Sequence, residues 1–265
     1  MQFADLKLAQ RLEEVNALEG VEYARAHAKI SPDTGATSHR IMGGYAVFAG
    51  ANSPVTQAFG LGLNGSVTEA ELDELEEFFR SRGAATNIEL CPHADAGFVE
   101  MLMQRGYRTL EFSNVLFKEL KENTISRSEI PVRIPDNHED SLWARVISLG
   151  FIPTEEPEPT MMEIAVAMFH SSVPFLVEID AQPTGGGALS INHGVADCFA
   201  HATLNDFRGR GVQAALIQAS LAYAGKNDCE LVMATTMPGT TSQRNFERQG
   251  FRIAYTRTKL TNEKL

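Results

Sequence analysis

The stretch that most constrains this chain is Arg208-Gly209-Arg210-Gly211-Val212-Gln213-Ala214-Ala215-Leu216. Residues 195–204, just upstream, read as a short strand. Val212, Ala215, Leu216, Ala219 and Tyr223 recur at helical spacing and give the next element one apolar face. A strand, a glycine-bearing turn and a helix start therefore follow one another. Backbone N–H groups with no intrahelical partner converge at such a start with the positive end of the helix dipole, which makes a site for phosphate or pyrophosphate. Gly209 and Gly211 let the backbone approach an anion with no Cβ in the way, and Arg208 and Arg210 add charge.

The rest of the chain reads as two copies of one α+β unit. In the first half a helix over residues 1–20 stops at Gly20, with Leu8, Leu12, Val15 and Leu18 on one face. Strands are expected at 24–30, 41–49 and 55–61 between Gly/Pro/Asn turns. Thr68 with Glu71 three residues on forms a capping box, opening a helix buried through Leu72, Leu75, Phe78 and Phe79. A strand at 87–91, a helix at 94–104 and a long strand at 108–120 complete this half. Residues 121–129 are polar and aperiodic and read as a linker, so the domains are 1–120 and 130–265. The second half has a strand at 132–135, helices at 139–149 and 159–170, and a hairpin joining 175–180 to 187–191 across residues 182–186. The strand from 195, the helix behind the turn, a strand at 231–236, a helix at 240–249 and a closing strand from 251 follow. Each half runs a helix into a Gly-aromatic pair, Gly106-Tyr107 and Gly250-Phe251, ahead of its last strand.

Composition narrows the function. The formal net charge of −11 over 265 residues argues against nucleic acid as a partner. Cys91, Cys198 and Cys229 are odd in number and widely spaced, which points to a reducing cytoplasm and not to a disulfide framework. No apolar run approaches the roughly 18 residues that a membrane helix needs. His193, Cys198 and His201 lie close in sequence but lack metal-ligand spacing, so no metal is expected. Trp143 among Leu142, Val146 and Leu149 reads as helix packing.

With these residues in place, the second half resembles a Gcn5-related N-acetyltransferase (GNAT) domain over about 130–265. Members carry an R/Q-x-x-G-x-G/A turn after their fourth strand. Arg208 and Gly211 match it, and Gln213 stands where Gly or Ala is usual, with room to point its side chain outward. Ser242, Asn245 and Gly250-Phe251 match the later helix of the family in order and spacing. The resemblance implies an α+β fold of two tandem GNAT-like domains, each a twisted, mixed, mostly antiparallel sheet flanked by helices. The first domain is a degenerate copy, because Leu61 to Thr68 carries no Arg and the wrong glycine spacing.

The implied activity is transfer of an acetyl group from acetyl-coenzyme A to an amine; the resemblance also implies a homodimer, unless the tandem chain already supplies the second half internally. Gly209, Arg210, Gly211, Val212 and Gln213, with Arg208, would hold the pyrophosphate, and Ser242 and Asn245 would contact the coenzyme. Ala202, Thr203 and Leu204 would present backbone groups to the pantetheine arm as a strand does to its neighbour. A protonated amine needs a base. Asp197 stands in the register of the family's carboxylate base, while His201 has the better-matched pKa and the same strand parity. At the position of the family's thiolate-protonating Tyr stands Phe246, and Tyr255 in the closing strand is the substitute. Two other classes compete: a non-catalytic acyl-coenzyme A sensor, and a nicotinamide oxidoreductase, since Gly209 to Ala214 also satisfies G-x-G-x-x-A.

Overall fold

The structure, a computed structural model, describes residues 4–120 and 128–263, so most of the 121–129 linker lies outside the described residues. The chain divides into two compact units. Met1–Val115 and Ile253–Leu265 form the first, and Leu116–Arg252 the second.

In the first unit α1 (Leu6–Ile30) starts at Asp5, whose side chain accepts from Leu8 N, and runs ten residues past Gly20. The expected stop at Gly20 and strand at 24–30 are thus one continuing helix. Its buried face carries on through Tyr23, Ala24, Ala26 and His27. Gly20 is there for close approach: a Cβ would lie 3.1 Å from Val47 Cγ2 and 3.4 Å from the Phe59 ring. The single strand expected at 41–49 is the second half of a hairpin. β1 (Thr37–Ile41) pairs antiparallel with β2 (Gly44–Phe48) about Met42 and Gly43, both at positive φ as a tight two-residue turn demands. β3 (Gln57–Phe59) runs antiparallel to β2. α2 (Glu69–Arg80) then leads back to β4 (Thr86–Leu90), parallel to β3. After α3 (Ala96–Gln104) comes β5 (Arg108–Glu119). The far side of β4 pairs antiparallel with the chain's last strand, Arg252–Asn262.

The α2 capping box is present in full: Thr68 Oγ1 accepts from Glu71 N at 3.3 Å, and Glu71 Oε2 accepts from Thr68 N at 2.8 Å. Thr68→Ala is expected to cost about 1 kcal/mol in a urea titration, with an unchanged denaturant slope.

The second unit opens with β6 (Val132–Arg133), followed by α4 (Asp140–Phe151) and α5 (Pro159–Ser171). β7 (Val173–Ile179) and β8 (Gln182–Asn192) form the expected hairpin, but across Asp180-Ala181, both at positive φ, and not across residues 182–186. Gly185, Gly186 and Gly187 therefore lie inside β8. Neighbours press on the sheet there: an added Cβ would stand 2.4 Å from Val212 Cγ1 at Gly185, 3.1 Å from Trp143 Nε1 at Gly186, and 2.5 Å from His201 Cδ2 at Gly187. β9 (Val195–Thr203) is antiparallel to β8; α6 (Val212–Lys226) crosses to β10 (Leu231–Thr236), parallel to β9. α7 (Thr241–Arg248) precedes the last strand, β11.

Each unit thus repeats one plan: antiparallel strands lead into a parallel pair bridged by a helix, β3-α2-β4 in one and β9-α6-β10 in the other. In the second unit the strands pack α4 and α5 on one face through Trp143, Ile147, Phe169, Leu176 and Ala202. On the other face α6 and α7 pack through Val212, Leu216, Leu221, Phe246 and Cys198. Trp143 is wholly buried, and its Nε1 donates to Phe175 O at 2.9 Å, a packing role as its helical neighbours indicate. Among the described residues no helix is long and apolar enough to cross a membrane, and no group of three metal-ligating side chains comes together.

Candidate functional site

The second unit holds a cavity of about 830 Å³ at the Arg208-to-Gly211 turn. Two backbone features build it. β9 pairs with β10 only from Val195 to Cys198, and beyond that point the strands part. Between the pairs Ala188–Phe199 and Gly186–Ala202, β9 has one residue more than β8, a bulge centred on Ala200 at φ 52°. Behind the parted strands Gly209 (φ 78°) and Gly211 (φ 86°) turn left-handed into α6. Only glycine adopts that backbone at little cost, and a Cβ at Gly209 would meet nothing within 4 Å, so the turn faces open space.

Among the described residues two α-helices start without a side-chain cap: α4, which continues directly from a 3-10 turn over Asn137–Glu139, and α6. Asp5, Thr68, Asp95, Glu158 and Thr240 each cap their own helix with a side-chain oxygen. Gly211 caps α6 with none. The first amides of α6 are left to a ligand or to solvent, at the positive end of a 15-residue helix.

The cavity brings together most of the residues singled out in the sequence. His201, Ala202, Thr203, Arg208, Gly209, Gly211, Val212, Gln213, Ser242 and Asn245 all line it. Arg208 Nη2 donates to Gly150 O at 3.0 Å, tying the turn to the end of α4. The Gln213 side chain does not point outward. Its Nε2 donates to Ser242 Oγ at 2.9 Å and its Oε1 accepts from Asn245 Nδ2 at 2.7 Å, so it fastens α6 to α7 across the cavity.

Four of the singled-out residues lie elsewhere. The Arg210 guanidinium sits 5.0 Å from the Phe207 ring centroid and outside the lining. Leu204 has both backbone groups engaged: its N–H donates to Thr184 O and its carbonyl accepts from Phe207 N, each at 2.9 Å. Tyr255 belongs to the first unit, where its buried hydroxyl donates to Glu13 Oε1 at 2.7 Å. Burial and the Glu13 carboxylate push its ionisation well above the ordinary tyrosine range. Asp197 is 1% exposed and alternates with Ala196 and Cys198, which pack into the α6 face, so it points to the α4 and α5 face.

The bulge decides the relation of Asp197 to His201. Four residues apart they would share a face on a regular strand, but the extra residue at Ala200 puts them on opposite faces. His201 stacks on Phe246 of α7, with ring centroids 5.6 Å apart and an interplanar angle of 27°. Both of its ring nitrogens are buried without a hydrogen-bond partner, and burial pushes its pKa down to about 4, which keeps the imidazole neutral near pH 7.

Sequence reading missed part of the lining: Gly150 and Phe151 at the end of α4, and Arg244 and Arg248 on α7. The two arginines stand at the i, i+4 spacing of one helix face together with Asn245, a visible pattern whose target only the cavity reveals.

Comparison with known proteins bears on the family and the fold. The sequence profile of the acetyltransferase (GNAT) family matches residues 143–251. No curated protein matches the chain. Among solved structures, a GCN5-related N-acetyltransferase from Kribbella flavida is similar, with a TM-score of 0.63 at 17% identity over 90% of this chain and 95% of its own. A tandem GNAT protein from the clavulanic acid biosynthesis pathway gives 0.62 at 12% identity, over 98% of this chain and 96% of its own. At these identities the likeness is one of fold, and with the tandem GNAT protein it covers nearly the whole chain.

Proposed function

The chain belongs by fold to the GNAT proteins and carries a domain of that family at residues 143–251, and from that premise we propose that its second unit transfers an acetyl group from acetyl-coenzyme A to an amine. The observation that carries this reading is the uncapped start of α6 behind two left-handed glycines, at the wall of a cavity that also runs along the parted strand β9. The Val212 and Gln213 amides receive the pyrophosphate. Ala202 and Thr203 lie alongside the pantetheine arm, and Ser242 and Asn245, held by Gln213, close the α7 side.

In the reaction the amine nitrogen attacks the thioester carbonyl carbon, the C–S bond breaks, and coenzyme A leaves as a thiolate. The amine must shed a proton. Of the two candidate bases only His201 lines the cavity, but both of its ring nitrogens are buried and burial disfavours its protonated form, which weakens it as the group that takes this proton. Asp197 lies on the opposite face of the strand, as a buried carboxylate behind the site. Phe246 has no proton to give the thiolate, and the Tyr255 hydroxyl is engaged by Glu13 in the first unit. That pair of facts favours one second reading, an acyl-coenzyme A sensor that binds without turnover.

Calorimetric titration with acetyl-coenzyme A tests the proposal. Gly211→Asp sets a carboxylate against the phosphate site, and Gly211→Asn has the same shape without the charge. Both tolerate the left-handed backbone better than most residues. Affinity is expected to fall by about a hundredfold or more in the Asp variant and far less in the Asn variant. No binding to folded wild type would sink the reading. Binding with no acetylation across a panel of amines would replace the enzyme with the sensor.

A further inference from the structure

The charged side chains that line the cavity are Arg208, Arg244 and Arg248, with no carboxylate among them, in a protein whose formal net charge is −11. A cavity that collects only cations in an acidic protein is matched to an anion. Arg208 is engaged at the carbonyl of Gly150. Arg244 and Arg248 are both exposed, and among the described residues neither guanidinium is engaged in a hydrogen bond or ion pair. They stand one turn apart on α7, roughly 6 Å between Cβ atoms, a spacing that lets two guanidiniums converge on one tetrahedral oxyanion.

The α6 amides and the left-handed turn already account for one anionic group, the pyrophosphate of the proposed ligand. The arginine pair comes from a different helix, α7, and adds two charges to the cavity wall. Coenzyme A has a further anionic group, the phosphomonoester on its ribose, which is dianionic near neutral pH and offers three acceptor oxygens. Dephospho-coenzyme A has the same pyrophosphate, pantetheine and thiol without it.

We propose that Arg244 and Arg248 bind the ribose 3′-phosphomonoester of coenzyme A, so that this protein selects the phosphorylated coenzyme over dephospho-coenzyme A. The inference rests on the acyl-coenzyme A reading of the cavity and assigns a specificity role to two residues which that reading does not require. Both side chains are exposed on the helix surface, so replacing them leaves the packing of Phe246 and Phe251 beneath untouched.

The test is titration of wild type and of Arg244→Gln/Arg248→Gln with coenzyme A and with dephospho-coenzyme A, at low and at high salt. Wild type should favour coenzyme A by about tenfold or more at low salt, and high salt should shrink that preference. The double variant should lose the preference by weakening on coenzyme A while holding its affinity for dephospho-coenzyme A. Equal affinity of wild type for the two ligands would overturn the assignment. So would a variant that weakens on both alike, since the arginines would then be reading the pyrophosphate. Failure of wild type to bind either ligand is a different result, and it overturns the acyl-coenzyme A reading itself.

Discussion

Glu13→Ala is expected to destabilise the first unit by about 3–5 kcal/mol, the range for stripping the partner from a buried ion pair. Glu13 on α1 is fully buried and Arg257 on β11 is 1% exposed. Arg257 Nε donates to Glu13 Oε1 at 2.7 Å, Nη1 donates to Asn16 Oδ1 at 2.9 Å, and the Tyr255 hydroxyl donates to the same Glu13 oxygen. An arginine cannot escape its charge by losing a proton, so removing Glu13 leaves a buried cation and orphans a buried hydroxyl together. The pair fastens the last strand to the first helix, 244 residues apart in sequence. Urea unfolding checks the size of the effect. Replacing both partners by apolar residues of similar volume, Glu13→Leu with Arg257→Met, should recover much of the loss. A loss under about 1 kcal/mol in Glu13→Ala would show that water reaches Arg257.

His201→Phe is expected to leave stability near neutral pH equal or higher and to make the protein more acid-resistant, by about 2 kcal/mol at pH 5. The sign follows from proton binding. The unfolded chain takes up a proton on this histidine below its ordinary pKa of 6.5, while the folded protein refuses it down to about 4. Within that window the unfolded state binds more protons, so stability falls with falling pH, and the penalty levels off below about 4. Phenylalanine keeps the stack on Phe246 and takes away both unpartnered nitrogens. Denaturant midpoints of wild type and variant at pH 7 and pH 5 give the answer. Parallel acid sensitivity in the two proteins would mean that the imidazole finds a partner or solvent in solution. The same variant should lose acetylation if His201 takes the amine proton, and the two readouts separate a catalytic role from a structural one.

By itself the sequence determined whatever depends on a few adjacent residues. Gly209 and Gly211 mark a turn whose backbone can approach an anion closely, and the structure has both at positive φ, a backbone that only glycine adopts at little cost. Thr68 and Glu71 specify their cap through a contact three residues long. The order of elements around the turn, and the repeat of one plan in two halves, follow from periodicity. Tertiary structure decided whatever depends on a partner. Gly20 reads as a stop but is the point where α1 presses on Val47, and Gly185 and Gly186 read as a loop but are the strand floor beneath Val212 and Trp143. A glycine's sequence neighbours do not say whether it is there for φ or for room. The bulge at Ala200 arises from the pairing of β9 with β8, and it alone sends Asp197 and His201 to opposite faces. Tyr255 and Arg257 are drawn to Glu13 because a buried charge must be matched wherever its partner lies in the chain. Arg244 and Arg248 show the same limit: their helical spacing is written in the sequence, but the cavity they face exists only once α7 has packed against β10 and α6.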